Sequence, residues 1–277
     1  MRVLGPNARL LSINTATLGF RWPLRRVMEA CAARGIGGIA PWRRDLQAIG
    51  AAEAGRIARD LGLVVTDHCR GGMFPAATAA ERQQRIDDNR RAIDEAHSLG
   101  AGSLCLVVGA LPPGSRDIAA ARAMVEDGIA AVLPHARAAG VRLAIEPLHP
   151  MYAAFRACVN TLDQAVAMAQ RLGEEVGVCL DVYHVWWDPD LAGAVARAGD
   201  RILAFHVCDW LVPTRDLLED RGMMGDGIVD LRRIRDRVEA AGYDGLVEIE
   251  IFSKAHWWTR DPDEVLDVCV ERFLSVC

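Results

Sequence analysis

Four short apolar runs in the second half of this chain carry groups that can hold a metal ion or move a proton. Leu143-Ala-Ile-Glu146 and Val178-Cys-Leu-Asp181 each end on a carboxylate, Ala204-Phe-His206-Val-Cys-Asp209 carries an imidazole, and Val247-Glu248-Ile-Glu250 carries two glutamates. A carboxylate at the end of a buried apolar strand is costly unless it is paired, hydrogen-bonded or bound to a metal. One such residue would say little, but four from consecutive runs can converge on one point. Glu146, Asp181, His206 and Glu250 make a hard, oxygen-rich donor set. It suits Mn²⁺, Mg²⁺ or Co²⁺, with Zn²⁺ as a further candidate, and does not resemble a structural zinc site. The competing reading is a buried ion-pair network with Arg, although these four segments contain none. Glu248 and Glu250 share a strand face by period-two alternation. Glu250, nearer the C-terminal end, is the expected ligand, and Glu248 a deeper partner.

The elements that must position these groups follow from an alternating pattern. Short apolar runs occur at Leu10–Asn14, Gly37–Ala40, Leu63–Asp67, Ser103–Val108, Arg142–Glu146, Val176–Asp181, Ile202–Val207 and Leu246–Ile251. Each is too short for a buried helix, and several are rich in Val, Ile and Leu, as in strands covered on both faces. Between them lie segments with helical spacing, such as Glu81–Leu99, Ile118–Ala139 and Leu231–Ala241. Gly follows several of these, as at Leu99-Gly100 and Ala139-Gly140, where it can cap the helix and turn the chain back. Eight strand–helix units imply a parallel sheet under helices, and their number favours a single (β/α)8 TIM barrel over residues 1–277. No Gly-x-Gly-x-x-Gly or P-loop follows the first strand, which weakens a nucleotide-binding alternative.

Active sites of such barrels lie at the C-terminal ends of the strands. All seven tryptophans, Trp22, Trp42, Trp186, Trp187, Trp210, Trp257 and Trp258, fall just after predicted strands. So do His68, His149, His184, His206 and His256, whereas His97 and His135 fall in predicted helices. Flat apolar rings around a polar pocket suit the C–H faces of a sugar-like ligand, so Trp42, Trp186, Trp187 and Trp210 are expected to line it. Some of these rings would otherwise cap the barrel or form an oligomer contact.

Composition narrows the function classes. The chain has 277 residues, 51% of them hydrophobic and 25% charged, with a formal net charge of −5. That excludes global disorder and argues against nucleic acid, whose backbone needs a basic face. No run approaches a membrane span of about 20 apolar residues, and no signal peptide is apparent. Eight scattered cysteines without a Cys-x-x-Cys pair read as reduced thiols in a cytoplasmic protein. Lys254 is the one lysine, so Schiff-base chemistry has a single candidate.

Several motifs together resemble the xylose-isomerase-like TIM-barrel superfamily of sugar (phosphate) isomerases and epimerases. They are Ile145-Glu146-Pro-Leu-His149, Asp181-Val-Tyr-His184, Phe205-His206-Val-Cys-Asp209, Arg221-Gly-Met-Met-Gly-Asp-Gly227 and Gly242-Tyr-Asp-Gly245 running into Ile249-Glu250. They span the second half of the chain, while the first half matches by repeat architecture. The resemblance implies one divalent metal held by Glu146, Asp181, His206 and Glu250. It also implies Glu146 and Glu250 as the acid/base pair, and His184 and Arg221 as contacts to substrate oxygens. Two positions depart from the epimerase pattern: His149 stands where Asn is usual and Tyr152 where many relatives have Glu. The expected chemistry is proton transfer through a metal-stabilised enediolate on a small ketose- or inosose-like substrate. A neutral His149 able to protonate a leaving group would turn the same scaffold into a lyase. His68, in Thr66-Asp67-His68-Cys-Arg70, is a further candidate substrate contact. An endonuclease IV-like nuclease needs more metal ligands than occur here, and a non-catalytic sugar-binding protein has little use for two glutamates at a metal. A homo-oligomer is an open expectation from the relatives.

Overall fold

The computed structural model describes residues 2–5 and 7–277. Its strands, in chain order, are β1 (Leu11–Asn14), β2 (Gly38–Ala40), β3 (Val64–Val65), β4 (His68–Gly72), β5 (Ser103–Val107), β6 (Arg142–Glu146), β7 (Val176–Asp181), β8 (Ile202–Val207), β9 (Asp209–Trp210), β10 (Arg221–Gly222) and β11 (Val247–Ile249). The helices are α1 (Leu24–Ala33), α2 (Ala51–Asp60), α3 (Ala79–Leu99), α4 (Ile118–Ala139), α5 (Leu162–Leu172), α6 (Val182–Val185), α7 (Leu191–Ala198), α8 (Leu231–Ala240) and α9 (Pro262–Val276). Nine strands form one parallel sheet in the order β3-β2-β1-β11-β8-β7-β6-β5-β4, and β9 and β10 form a separate antiparallel ribbon. This is the barrel expected from the alternating pattern, nearly closed.

One stretch differs from expectation. The third run, Leu63–Asp67, is a strand only at Val64–Val65, and pairing resumes at His68–Gly72. β3 pairs with β2, whereas β4 pairs with β5. Single bonds close the ring between them: Gly102 N donates to Val65 O at 3.1 Å, and Cys69 N donates to Pro41 O at 3.3 Å. The break falls at Thr66 and Asp67, whose side chains bind inside the barrel rather than following a regular ladder.

Local signals explain the helices. Thr78 and Glu81 form a reciprocal capping box at the start of α3, and Asp117 caps α4 through the Ala120 N–H. Gly100 ends α3 at φ 74°, a left-handed conformation that costs glycine little.

The apolar interior has two parts. Most buried Val, Ile, Leu and Phe side chains pack between sheet and helices, each contributing about 1.5–3 kcal/mol. Inside the ring a smaller cluster of Cys69, Cys105, Ala144, Cys179 and Ala204 forms the floor. These short side chains leave room for a polar tier above and beside them. Among the described residues no helix is long and apolar enough to cross a membrane.

Candidate metal centre

Glu146 ends β6, Asp181 ends β7, His206 is the penultimate inward residue of β8, and Glu250 follows β11. Parallel register sets Asp181 level with His206 and His206 level with Glu248. One ligand atom from each of Glu146, Asp181, His206 and Glu250 lies within 4.8 Å of the others, and all four residues are buried.

The imidazole is oriented from below. His206 Nε2 lies 3.0 Å from Asp67 Oδ2 and 3.3 Å from Glu248 Oε1. Glu248 is itself fixed by Thr66 Oγ1 at 2.6 Å and Asn14 Nδ2 at 2.9 Å, both donating to its carboxylate. His206 Nδ1 is left buried without a hydrogen-bond partner, and Glu250 Oε2, at 3.8 Å, is too far to supply one. An imidazole held by carboxylates at one nitrogen and bare at the other is the arrangement of a metal-ligating histidine. The donor set therefore fits a divalent cation. The interior triads Asp67–Cys69–Cys105 and Cys105–Glu146–Cys179 also bring ligand atoms within 4.8 Å, but they are thiol-rich and lie against the floor.

Electrostatics points the same way. Burial, reinforced by Glu250 and Asp181, pushes the Glu146 carboxyl up to about 8. Its one hydrogen bond among the described residues is a weak one from Cys105 Sγ at 3.7 Å. Burial acts on Glu250 too, but His206 and Arg221 outweigh it and hold this carboxyl below its usual range. For His206 burial lowers the imidazole, yet Glu248 and Asp67 outweigh it and hold it well above the ordinary value. Two neighbouring carboxyls are thus driven apart, the usual condition for separate acid and base roles.

Arg221 enters from the β9–β10 ribbon, which Asp209 braces by accepting from the N–H groups of Gly225 at 2.9 Å and Val229 at 3.0 Å. Its Nη1 donates to Asp181 Oδ2 at 2.8 Å and to Glu250 Oε2 at 3.1 Å, and its guanidinium lies 4.4 Å above the Tyr183 ring. The ion pair with Arg thus exists, supplied by a loop outside the four segments. It gives one cation to two of the three acids. His184, on α6, has Nε2 3.3 Å from Arg221 Nη2, and burial pushes its imidazole down to about 3, so it is neutral.

A cleft opens onto Glu146 and Glu250 and is lined in part by Trp42, Arg70, Arg156, His184, Leu218 and Phe252. The carbonyl of Leu217, beside this wall, accepts from the hydroxyls of both Tyr152 and Tyr183. The structure brings Trp42, His184 and Arg221 to the cleft, and places the other suggested substrate contacts elsewhere. His68 is turned outward, with Nδ1 3.0 Å from Pro41 O and Nε2 3.2 Å from Glu95 on α3. The reason is strand alternation, which sends its neighbours Asp67 and Cys69 inward. Trp186 and Trp187 line a separate surface cavity with Asp188 and Arg233. Trp210 stacks on His149 at 5.1 Å, and His149 Nδ1 accepts from Met151 N. Burial lowers the His149 imidazole, which favours its neutral form. Asp67, Arg70 and Arg156 were not singled out from sequence. The signal for the first two lay in the quoted Thr66–Arg70 motif, behind its histidine.

Residues 28–268 match the family described as xylose isomerase-like TIM barrel. The chain belongs to that family. A search of curated proteins gave no match. Among solved structures, protein SMc04130 from Sinorhizobium meliloti 1021 is 60% identical with a TM-score of 0.96, over 98% of this chain and 99% of that one. An IOLI protein with a bound zinc atom is 18% identical with a TM-score of 0.82, over 96% and 97% of the two chains. The 3-keto-D-glucoside 4-epimerase YcjR from E. coli is 20% identical with a TM-score of 0.77, over 96% and 99%. The last two likenesses are of fold.

Proposed function

We propose that this protein is a divalent-metal-dependent isomerase or epimerase that moves a proton next to a carbonyl in a small, sugar-like hydroxy-carbonyl substrate. The observation that carries the reading is the convergence of Glu146, Asp181, His206 and Glu250 about a point faced by an unpartnered His206 Nδ1. A divalent cation held there would polarise the substrate carbonyl and stabilise the negative charge that develops when the neighbouring C–H gives up its proton.

The chain's own residues supply the rest. Glu146 and Glu250 approach from different strands, and the environment that lowers Glu250 and raises Glu146 assigns base to Glu250 and acid to Glu146 in one direction. Arg221, with neutral His184 accepting from its Nη2, presents N–H groups to substrate oxygens, and Trp42 and Phe252 offer apolar faces to its carbons. Asp67 and Glu248 hold the His206 ring in place. The donor chemistry favours Mn²⁺, Mg²⁺ or Co²⁺, with Zn²⁺ as the alternative.

The test is metal analysis of protein purified without chelator, followed by incubation with a ketose and inosose panel in D₂O. The expected result is deuterium at an α-carbon of an isomeric product, dependent on Mn²⁺, Mg²⁺ or Co²⁺. No bound ion and no rescue by any of these would reject the reading. Loss of water or of an aglycone would instead identify a lyase on the same scaffold.

A further inference from the structure

Two arginines at the cleft have no carboxylate partner among the described residues, although Arg156 lies 6.0 Å from the centroid of the Tyr152 ring. Arg70 follows Cys69 on β4, Arg156 lies beyond β6 in the segment after Tyr152, and both line the same cleft as Glu146, His184, Arg221 and Glu250. Among the described residues neither guanidinium makes a hydrogen bond or an ion pair. Elsewhere on the molecule arginines on the helices meet carboxylates, as Arg137 meets Glu175 and Arg171 meets Glu126. Arg70 is also well enclosed: burial, with Arg156 next, holds it below the usual arginine range, while Cys105 and Glu146 act in the opposite sense. Those neighbours also line the central cleft, and Arg70 borders a side cavity with Arg43, Arg85 and Asp88 as well. Enclosing two like charges together without a counter-ion is costly, and the cost is removed when an anion binds between them.

The charge balance of the cleft sharpens this. With a cation in place of the Glu146 proton, Glu146, Asp181 and Glu250 would carry three negative charges. A divalent cation and Arg221 would neutralise them. Arg70 and Arg156 would then remain as two uncompensated positive charges beside the reacting centre. A neutral sugar would offer them hydroxyl oxygens but no countercharge.

We propose that the substrate carries an oxyanion group, a phosphate monoester or a carboxylate, which Arg70 and Arg156 hold at the mouth of the cleft away from the metal ligands. This rests on the proton-transfer reading for the rest of the substrate, and it narrows the substrate class to anionic hydroxy-carbonyl compounds. Planar guanidinium forks suit both oxyanions.

Calorimetric titration of Mg²⁺-loaded protein with sulfate, inorganic phosphate and acetate tests it, with metal content measured in the same samples. Sulfate and phosphate should bind, and Arg70→Gln and Arg156→Gln should each weaken them about tenfold or more while metal content stays unchanged. Acetate binding lost in the same two variants would assign the group as a carboxylate. In the parent protein, bound phosphate should protect Arg70 and Arg156 from phenylglyoxal, a readout that needs no variant to fold. No anion binding, or binding indifferent to both substitutions, overturns the inference while leaving the metal reading intact. Arginine-dependent anion binding in a protein that takes up no divalent ion would support the oxyanion site and reject proton transfer at a metal.

Discussion

Glu146 is the residue whose chemistry depends most on its surroundings. With its carboxyl raised to about 8, and that of Glu248 raised likewise, the folded protein holds these protons more tightly than the unfolded chain, where the ordinary value is 4.5. Their contribution to stability is therefore complete below pH 4.5 and is lost as the pH rises through about 8. A cation replacing the Glu146 proton offsets that loss. Metal-free protein should melt at a lower temperature at about pH 8 than at about pH 5.5, and added Mn²⁺ should raise Tm more at the higher pH. An equal Mn²⁺ effect at both would show that Glu146 does not exchange a proton for the ion. Glu250→Gln should reduce turnover by about 10²–10⁴-fold, measured as deuterium incorporation into substrate. Arg221→Met should destabilise metal-free protein by about 3–5 kcal/mol in chemical denaturation, because it leaves Asp181 and Glu250 buried without their cation. The four converging residues were legible in the sequence because each ends or closely follows an apolar run. Arg70 and Arg156 were not. An arginine awaiting a ligand looks in sequence like any solvated arginine, and only the shared cleft tells them apart.

At the scale of elements, β7 has little tolerance. A Cβ on Gly177 would sit 2.3 Å from Arg201 O and 2.5 Å from Leu203 Cγ, so β7 must lie tight against the segment entering β8. Gly177→Ala should lower unfolding free energy by about 1–3 kcal/mol in urea titration, by forcing apart the two strands that carry Asp181 and His206. Most strands and long helices were readable because apolar runs and helical spacing alternate with capping glycines. The third strand was misjudged at its end because polar Thr66 and Asp67 look like a terminus. They are instead the point where hydrogen bonding passes from β2 to β5 while both side chains turn inward. The tryptophans misled for a related reason. Following a strand places a ring at the correct end of the barrel but does not fix which way it faces, and Trp186 and Trp187 face a different cavity.

Over the whole molecule, all eight cysteines are buried and reduced, and every thiol is pushed up, Cys69 and Cys105 first by a neighbouring thiol and then by burial, the other six by burial. Native protein at neutral pH should react negligibly with a thiol reagent, whereas denatured protein should titrate all eight. Rapid labelling of the native state would contradict the packed floor of the barrel. The two phenols joined at the Leu217 carbonyl act on the whole molecule in another way. Tyr152 and Tyr183 come from the segments after two different barrel strands, yet they fasten one stretch of chain beside the cleft. Lifting that stretch breaks both bonds together, so the two phenols act on it as a double latch. Its strength is tunable by a single oxygen atom without disturbing the chemistry beneath.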